Sequence, residues 1–339
     1  MLGRLLARLR AFLARLFRRE VAPGRFESGS AGSWQGFVSN APAVLPRRDY
    51  LLYVPRAHSR WRRYPVLVLC HGCRQTPEEF VAATRIVDVA DEHGWLVLLP
   101  RQKESANAWR CWNWFDTRTS HGNGEAAIVL SQLEDVIDDW RGDRERVVVA
   151  GMSAGGALAA ALALRHASRV RGVFVHSGLP CGAAGAPIGA LGVMQRGPDN
   201  DVEAIARDVR RAWPQPMRLP LCIVHGEADD VVAPVNAIAL ARQFLRLNEH
   251  AALVRPLPPD ATEARTLPPP DVEMREIGAP ERTIVTREWR ADGKLVVRYV
   301  SVGGLGHAWS GGDAAYPYND ERPPPATEIL ERFAVEVAG

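Results

Sequence analysis

Gly151-Met152-Ser153-Ala154-Gly155 follows the apolar run Val147-Val148-Val149-Ala150 and leads into a stretch rich in Ala and Leu. Strand, tight turn and helix in that order hold a serine at the apex with its hydroxyl exposed, and the flanking glycines let neighbouring backbone pass close by. A serine hydroxyl is a weak nucleophile until a base takes its proton. His307, in Gly306-His307-Ala308-Trp309, is the candidate base. It would accept the Ser153 proton and pass it to the leaving group. Asp229, in His225-Gly226-Glu227-Ala228-Asp229-Asp230, would fix the imidazole tautomer and stabilise its charged form. Asp230 is the rival acid; Asp229 is preferred because it stands nearer the end of the preceding strand. The oxyanion formed by such an attack needs two preorganised N–H donors. One should come from Ala154. The other should come from the loop His71-Gly72-Cys73-Arg74-Gln75, from Cys73, with Gln75 bracing the loop.

Other residues near these motifs have two readings. His71 and His225 each precede a glycine at a strand end and read as structural, whereas His176 ends a strand and could line the site. Cys111-Trp112-Asn113-Trp114-Phe115 puts three aromatics on one loop, either as an apolar wall for an acyl or aromatic group or as packing beneath the loop. Trp309, next to the base, is a stronger substrate neighbour than Trp112. The sequence has no His-Glu-x-x-His and no aspartate cluster, so neither a metal nor another cofactor is expected.

These groups must be carried to one place. Strand-like runs at 50–54, 66–70, 95–99, 147–150, 172–176 and 219–224 alternate with helical patterns at 77–93, 124–140, 154–167 and 235–248. That rhythm predicts βαβ units and a mostly parallel, doubly wound α/β sheet flanked by helices. Catalytic groups of such sheets gather beyond the carboxyl ends of the strands, where Ser153, Asp229 and His307 all fall. The chain order serine, acid, histidine is that of the α/β-hydrolase fold. Runs at 283–289 and 295–302, joined by Asp292-Gly293, predict a hairpin, and a last helix spans about 325–337.

Residues 1–25 read as a basic amphipathic helix followed by linker, and 26–339 as the catalytic domain, with a Pro-rich, acidic surface insertion at about 255–282. Gly, Ser, Ala and Pro dominate 21–45, which reads as a linker or extended arm. Arginines interrupt every candidate apolar core of a secretory signal within residues 1–20, so a cytoplasmic location is expected, with a secreted one as the alternative. The same helix could attach to a membrane or an apolar granule surface, or pack on its own domain or a partner. A net charge of +3 over 339 residues gives no signal for nucleic acid. Five cysteines without zinc spacing leave Cys70 and Cys222 as buried thiols and allow, in an oxidising compartment, a disulfide between two of Cys73, Cys111 and Cys181.

Five segments together, His71-Gly72-Cys73-x-Gln75, Cys111-Trp112-Asn113-Trp114-Phe115, Gly151-x-Ser153-Ala154-Gly155-Gly156, His225-Gly226-x-Ala228-Asp229 and Gly306-His307-Ala308-Trp309-Ser310-Gly311-Gly312, resemble the polyhydroxybutyrate depolymerase family of esterases. That family also holds feruloyl and acetylxylan esterases, and the resemblance covers roughly residues 30–338. It implies an α/β-hydrolase fold, a Ser–Asp–His triad at Ser153, Asp229 and His307, and the oxyanion position at Cys73. It also implies ester substrates: short hydroxyalkanoate esters, oligomers or polyesters, or feruloyl and acetyl esters of polysaccharide. No signal peptide and no appended binding domain are expected, unlike many secreted members. Two other readings remain: a silent hydrolase scaffold binding a granule or membrane surface, and an acyltransferase or peptidase on the same fold.

Overall fold

The computed structural model describes residues 24–33, 46–213, 218–254, 265–278 and 282–339. The amphipathic helix expected over residues 1–20 lies outside them. Runs of Val, Leu and Ile form the expected strands because such side chains need cover on both faces. In chain order the main strands are β1 (Arg25–Gly32), β2 (Arg47–Val54), β3 (Tyr64–Cys70), β4 (Leu96–Pro100), β5 (Gly142–Met152), β6 (Gly172–His176), β7 (Leu221–Gly226), β8 (Val272–Gly278), β9 (Arg282–Ala291) and β10 (Lys294–Val302). They make one sheet in the order β1-β2-β4-β3-β5-β6-β7-β10-β9-β8. The strands from β4 to β10 in that order are parallel; both edges are antiparallel. This is an α/β-hydrolase fold.

Each face of the sheet has its own core. Leu133, Leu158 and Phe244, from the helices Gly124–Asp139, Ala154–Arg165 and Val235–Leu247, cover one face. Phe80, Ile86 and Phe333, from Pro77–Thr84, Ile86–His93 and Ala326–Ala338, cover the other. The helix expected over 77–93 is two helices, broken at Arg85, which sits in the left-handed region at φ 54°. Thr76 opens the first with a capping box: its hydroxyl accepts from the Glu79 N–H, and the Glu79 carboxylate accepts from the Thr76 N–H. That cap fixes the exit of the 71–75 loop.

Two boundaries differ from expectation. Residues 25–32, read as part of a linker or extended arm over 21–45, are an edge strand paired to β2 over its whole length. Small polar residues enter it because the open edge of β2 supplies the partners, and tertiary pairing overrides weak strand preference. The 255–282 insertion also contains structure: its end, β8, pairs with β9. The hairpin of β9 and β10 forms as expected, with Asp292 at φ 50° and Gly293 at φ 73°. The helices Pro187–Arg196 and Val202–Ala212, between β6 and β7, were not foreseen.

Candidate active site

Ser153 stands between β5 and the helix Ala154–Arg165 with φ 55° and ψ −124°, a conformation costly for a residue with a side chain. Its N–H donates to the His176 carbonyl at 2.9 Å, which pins the turn to β6. The glycines make the turn sterically feasible. A Cβ on Gly151 would collide with the Gly155 backbone, and one on Gly155 would collide with the carbonyl oxygens of Cys70 and His71. The helix therefore starts in contact with the end of β3.

The loops after β7 and β10 are zipped together. Glu227 N–H donates to Val302 C=O at 2.9 Å and Ala228 N–H to Leu305 C=O at 3.0 Å. Gly226 has no room for a side chain against Leu305. This brings three distant side chains into series. The Ser153 hydroxyl lies 2.9 Å from His307 Nε2, and His307 Nδ1 lies 2.9 Å from Asp229 Oδ2. Asp229 is buried, and its Oδ1 accepts from the Val231 and Val232 N–H groups at 3.1 and 2.8 Å. Burial alone would raise its pKa; the bonds from His307 and the backbone outweigh it and hold the carboxyl below the ordinary aspartate value. Asp230, the rival, is exposed. Hydroxyl, imidazole and ionised carboxylate in this order can draw a proton off oxygen and stabilise the imidazolium that results.

Gly72 packs against Ser153, so the 71–75 loop borders the hydroxyl. Gln75 Oε1 accepts from the Gly72 N–H at 2.8 Å, the bracing role expected of it. The N–H groups of Cys73 and Ala154 meet no protein acceptor among the described residues, which leaves both able to serve a ligand oxygen. A disulfide joins Cys73 to Cys111, while Cys181 is a free buried thiol, as are Cys70 and Cys222. The cross-link ties the candidate oxyanion loop to the aromatic loop. That loop is anchored in turn by Glu125, whose carboxylate accepts from Asn113 N–H at 2.7 Å, Asn113 Nδ2 at 2.9 Å and Gln102 Nε2 at 2.5 Å.

The three residues expected to line a substrate do not. Trp112 is fully buried beneath its loop, with its indole N–H donating to His71 C=O at 3.0 Å. Trp309 is buried against Phe80, Phe174 and His176. His176 is buried as well. Its Nε2 accepts from the Ser310 N–H at 3.3 Å, and its Nδ1–H donates to Ser177 Oγ at 3.2 Å. Its carbonyl holds Ser153, so His176 couples the nucleophile turn to the segment after His307. Large aromatics beside a reactive motif can serve as its floor rather than its wall, and here the two cores claim them. His225 is structural as expected, its Nε2–H donating to Val232 C=O at 2.8 Å. Two aromatics outside the expected set do reach the surface here. Trp109 is 65% exposed, its carbonyl accepts from Arg74 N–H at 2.7 Å, and its ring lies under the Arg74 guanidinium. Tyr318 meets His307 edge-on at 6.4 Å. Trp109 stands two residues before Cys111, a signal available once the disulfide is known.

Burial lowers the pKa of His71 to about 4 and of His176 to about 3. Both rings must stay neutral, since each Nε2 accepts a backbone N–H. As pH falls from 6.5 toward 4, the unfolded chain takes up protons on these rings that the folded chain refuses. Stability then falls with pH, by up to about 1.4 kcal/mol per unit for each ring. Thermal melts at neutral pH and near pH 5 should show the lower Tm at the acid value, and replacing His71 by Gln should shrink the difference.

The esterase PHB depolymerase family model matches residues 48–265. The chain is 28% identical over 184 residues to poly(3-hydroxyalkanoate) depolymerase C of Paucimonas lemoignei, an overlap of 53% of this chain and 44% of that protein. It is 28% identical over 187 residues to feruloyl esterase B of Thermothelomyces thermophilus, an overlap of 53% and 64%. The match thus spans about half to under two thirds of these relatives. Among solved structures, an acetyl xylan esterase from Aspergillus awamori shares the fold, with a TM-score of 0.61, 18% identity, and coverage of 77% of this chain and 89% of that one.

Proposed function

The chain belongs to the esterase PHB depolymerase family, and on that premise we propose that it is a serine carboxylic-ester hydrolase working through an acyl-enzyme. The observation that carries this reading is the continuous path Ser153–His307–Asp229, joined by the Cys73 and Ala154 N–H groups, which meet no protein acceptor among the described residues. Ser153 Oγ attacks the ester carbonyl carbon while its proton passes to His307 Nε2. The Cys73 and Ala154 N–H groups hold the oxyanion. Collapse of the tetrahedral intermediate expels the alcohol, which leaves with the proton from His307. A water then attacks the acyl-enzyme, giving His307 its proton, and the acid departs as Ser153 recovers that proton. Asp229 stays ionised throughout, and no cofactor is called on.

The substrates follow from the relatives' names: hydroxyalkanoate esters and their polymers, feruloyl esters, or acetyl esters of polysaccharide. Trp109 and Tyr318, at the surface beside the oxyanion loop and the base, would meet the acyl or alcohol part. We read residues 1–20 as a surface anchor holding the enzyme on a membrane or polyester granule.

One experiment tests these points together. The chain should hydrolyse p-nitrophenyl butyrate, and an alkyl fluorophosphonate should stop it while adding one phosphonyl mass to the peptide containing Ser153. Labelling elsewhere with full loss of activity would reject the assignment of the nucleophile. Feruloyl, acetyl and 3-hydroxybutyrate oligomer esters in the same assay rank the substrates. A chain starting at Gly24, which spares β1, should keep soluble activity and lose co-sedimentation with granules.

A further inference from the structure

Strand β8 is one edge of the sheet, β1 the other. Among the described residues β8 pairs only with β9, through seven consecutive partners without a bulge. All but its last residue are exposed, including Val272 at 37%, Met274 at 45% and Ile277 at 79%. Edge strands are ordinarily blunted by charged side chains, lysine above all, by proline or by a bulge, because their open N–H and C=O groups invite a further strand. Val272-Glu273-Met274-Arg275-Glu276-Ile277 has no lysine, proline or bulge, and its three charges are of both signs, so a second copy can match them. The strand also lies beyond the family match, which ends at 265.

We infer that β8 is a homodimer interface on which a second copy of this chain adds its own β8 in antiparallel register. The charge pattern selects that register. In a two-fold antiparallel pair one residue faces its own copy on the axis, and the residues on either side face each other across it. With Met274 on the axis, Glu273 faces the partner's Arg275 and Arg275 faces the partner's Glu273. Both pairs lie on one face, since residues two apart share a face. An axis at Arg275 opposes two guanidiniums; an axis at Glu273 or Glu276 opposes two carboxylates. Like charges directly opposite are unfavourable, and of the registers centred on a residue of β8 the methionine-centred one sets opposite charges face to face. Arg275 has no ion-pair partner among the described residues, whereas Glu273 also accepts from Arg287 Nε at 2.8 Å and can bridge both. A contact limited to this overlap is small, so the dimer should be weak and concentration-dependent.

Sedimentation velocity of the full chain, from low micromolar to sub-millimolar concentration, should show the mass rising from one copy toward two. Arg275→Glu should keep the protein monomeric over that range, and so should Met274→Lys, which places two like charges on the axis without touching the Arg287 contact. Both variants should hydrolyse a soluble ester at the parent rate, which certifies the fold. A parent that stays monomeric throughout overturns the inference. So does a dimer indifferent to Arg275→Glu and Met274→Lys.

Discussion

Asp229→Asn should lower kcat for ester hydrolysis about ten-thousand-fold, whereas Asp230→Asn should leave it within about twofold. The first figure follows from what the carboxylate does: an amide can present its N–H to His307 and so favour the wrong tautomer, and it cannot balance the imidazolium charge. The geometry makes the contrast sharp. Asp229 is buried, takes the His307 Nδ1–H at 2.9 Å and is oriented by two backbone donors. Its neighbour is exposed. Ser153→Ala should cost at least as much as Asp229→Asn, and combining the two should add little, because the residues act as one unit. Steady-state kinetics on p-nitrophenyl butyrate suffices. Full activity in Asp229→Asn together with collapse in Asp230→Asn would reverse the assignment of the acid.

Gly155→Ala should lower kcat by about two to three orders of magnitude and reduce the Tm by several degrees, although the residue touches no substrate. A methyl group there would enter the carbonyl oxygens of Cys70 and His71, and backbone cannot rotate away as a side chain can. Overpacking of this kind costs about 1–3 kcal/mol, occasionally more. Relief requires the helix to back away from β3. That movement carries the Ala154 N–H with it while Cys73 stays behind. The two donors then no longer converge, and losing one such donor costs about 3 kcal/mol at the transition state. Gly185, where an added Cβ would meet nothing within 4 Å, is the control: Gly185→Ala should alter neither activity nor melting. Parent-like kinetics in Gly155→Ala would mean that the helix start is not a fixed part of the site.

Much of this is legible in the amino-acid order alone. The strands before Ser153 and Asp229 end in apolar runs, the one before His307 is mostly apolar, and each of the three residues lies in the loop or turn that follows its strand. Glycines mark the places where loops must touch. The features that escape share a different cause. β1 is made of Gly, Ser and other residues with little strand preference and exists because β2 offers an edge. The helices 187–196 and 202–212 lie in a stretch whose first half lacks helical periodicity. Trp112, Trp309 and His176 are indistinguishable by type from residues that line a pocket. Their burial is set by which sheet face their loops fold over, and that depends on partners far away in the chain. The choice of Cys111 for Cys73 likewise rests on how closely two loops approach, which spacing alone does not express.

The strand order also sets a timetable. The proposed nucleophile is encoded near the middle of the chain, but its proposed base follows β10, which is made late and lies between β7 and β9 in the sheet. Until that last parallel strand is inserted, Ser153 sits in its strained turn with nothing to deprotonate it. On the proposed mechanism a nascent chain that has not yet added β10 and the loop after it is chemically silent, so the sheet must be assembled before hydrolysis begins.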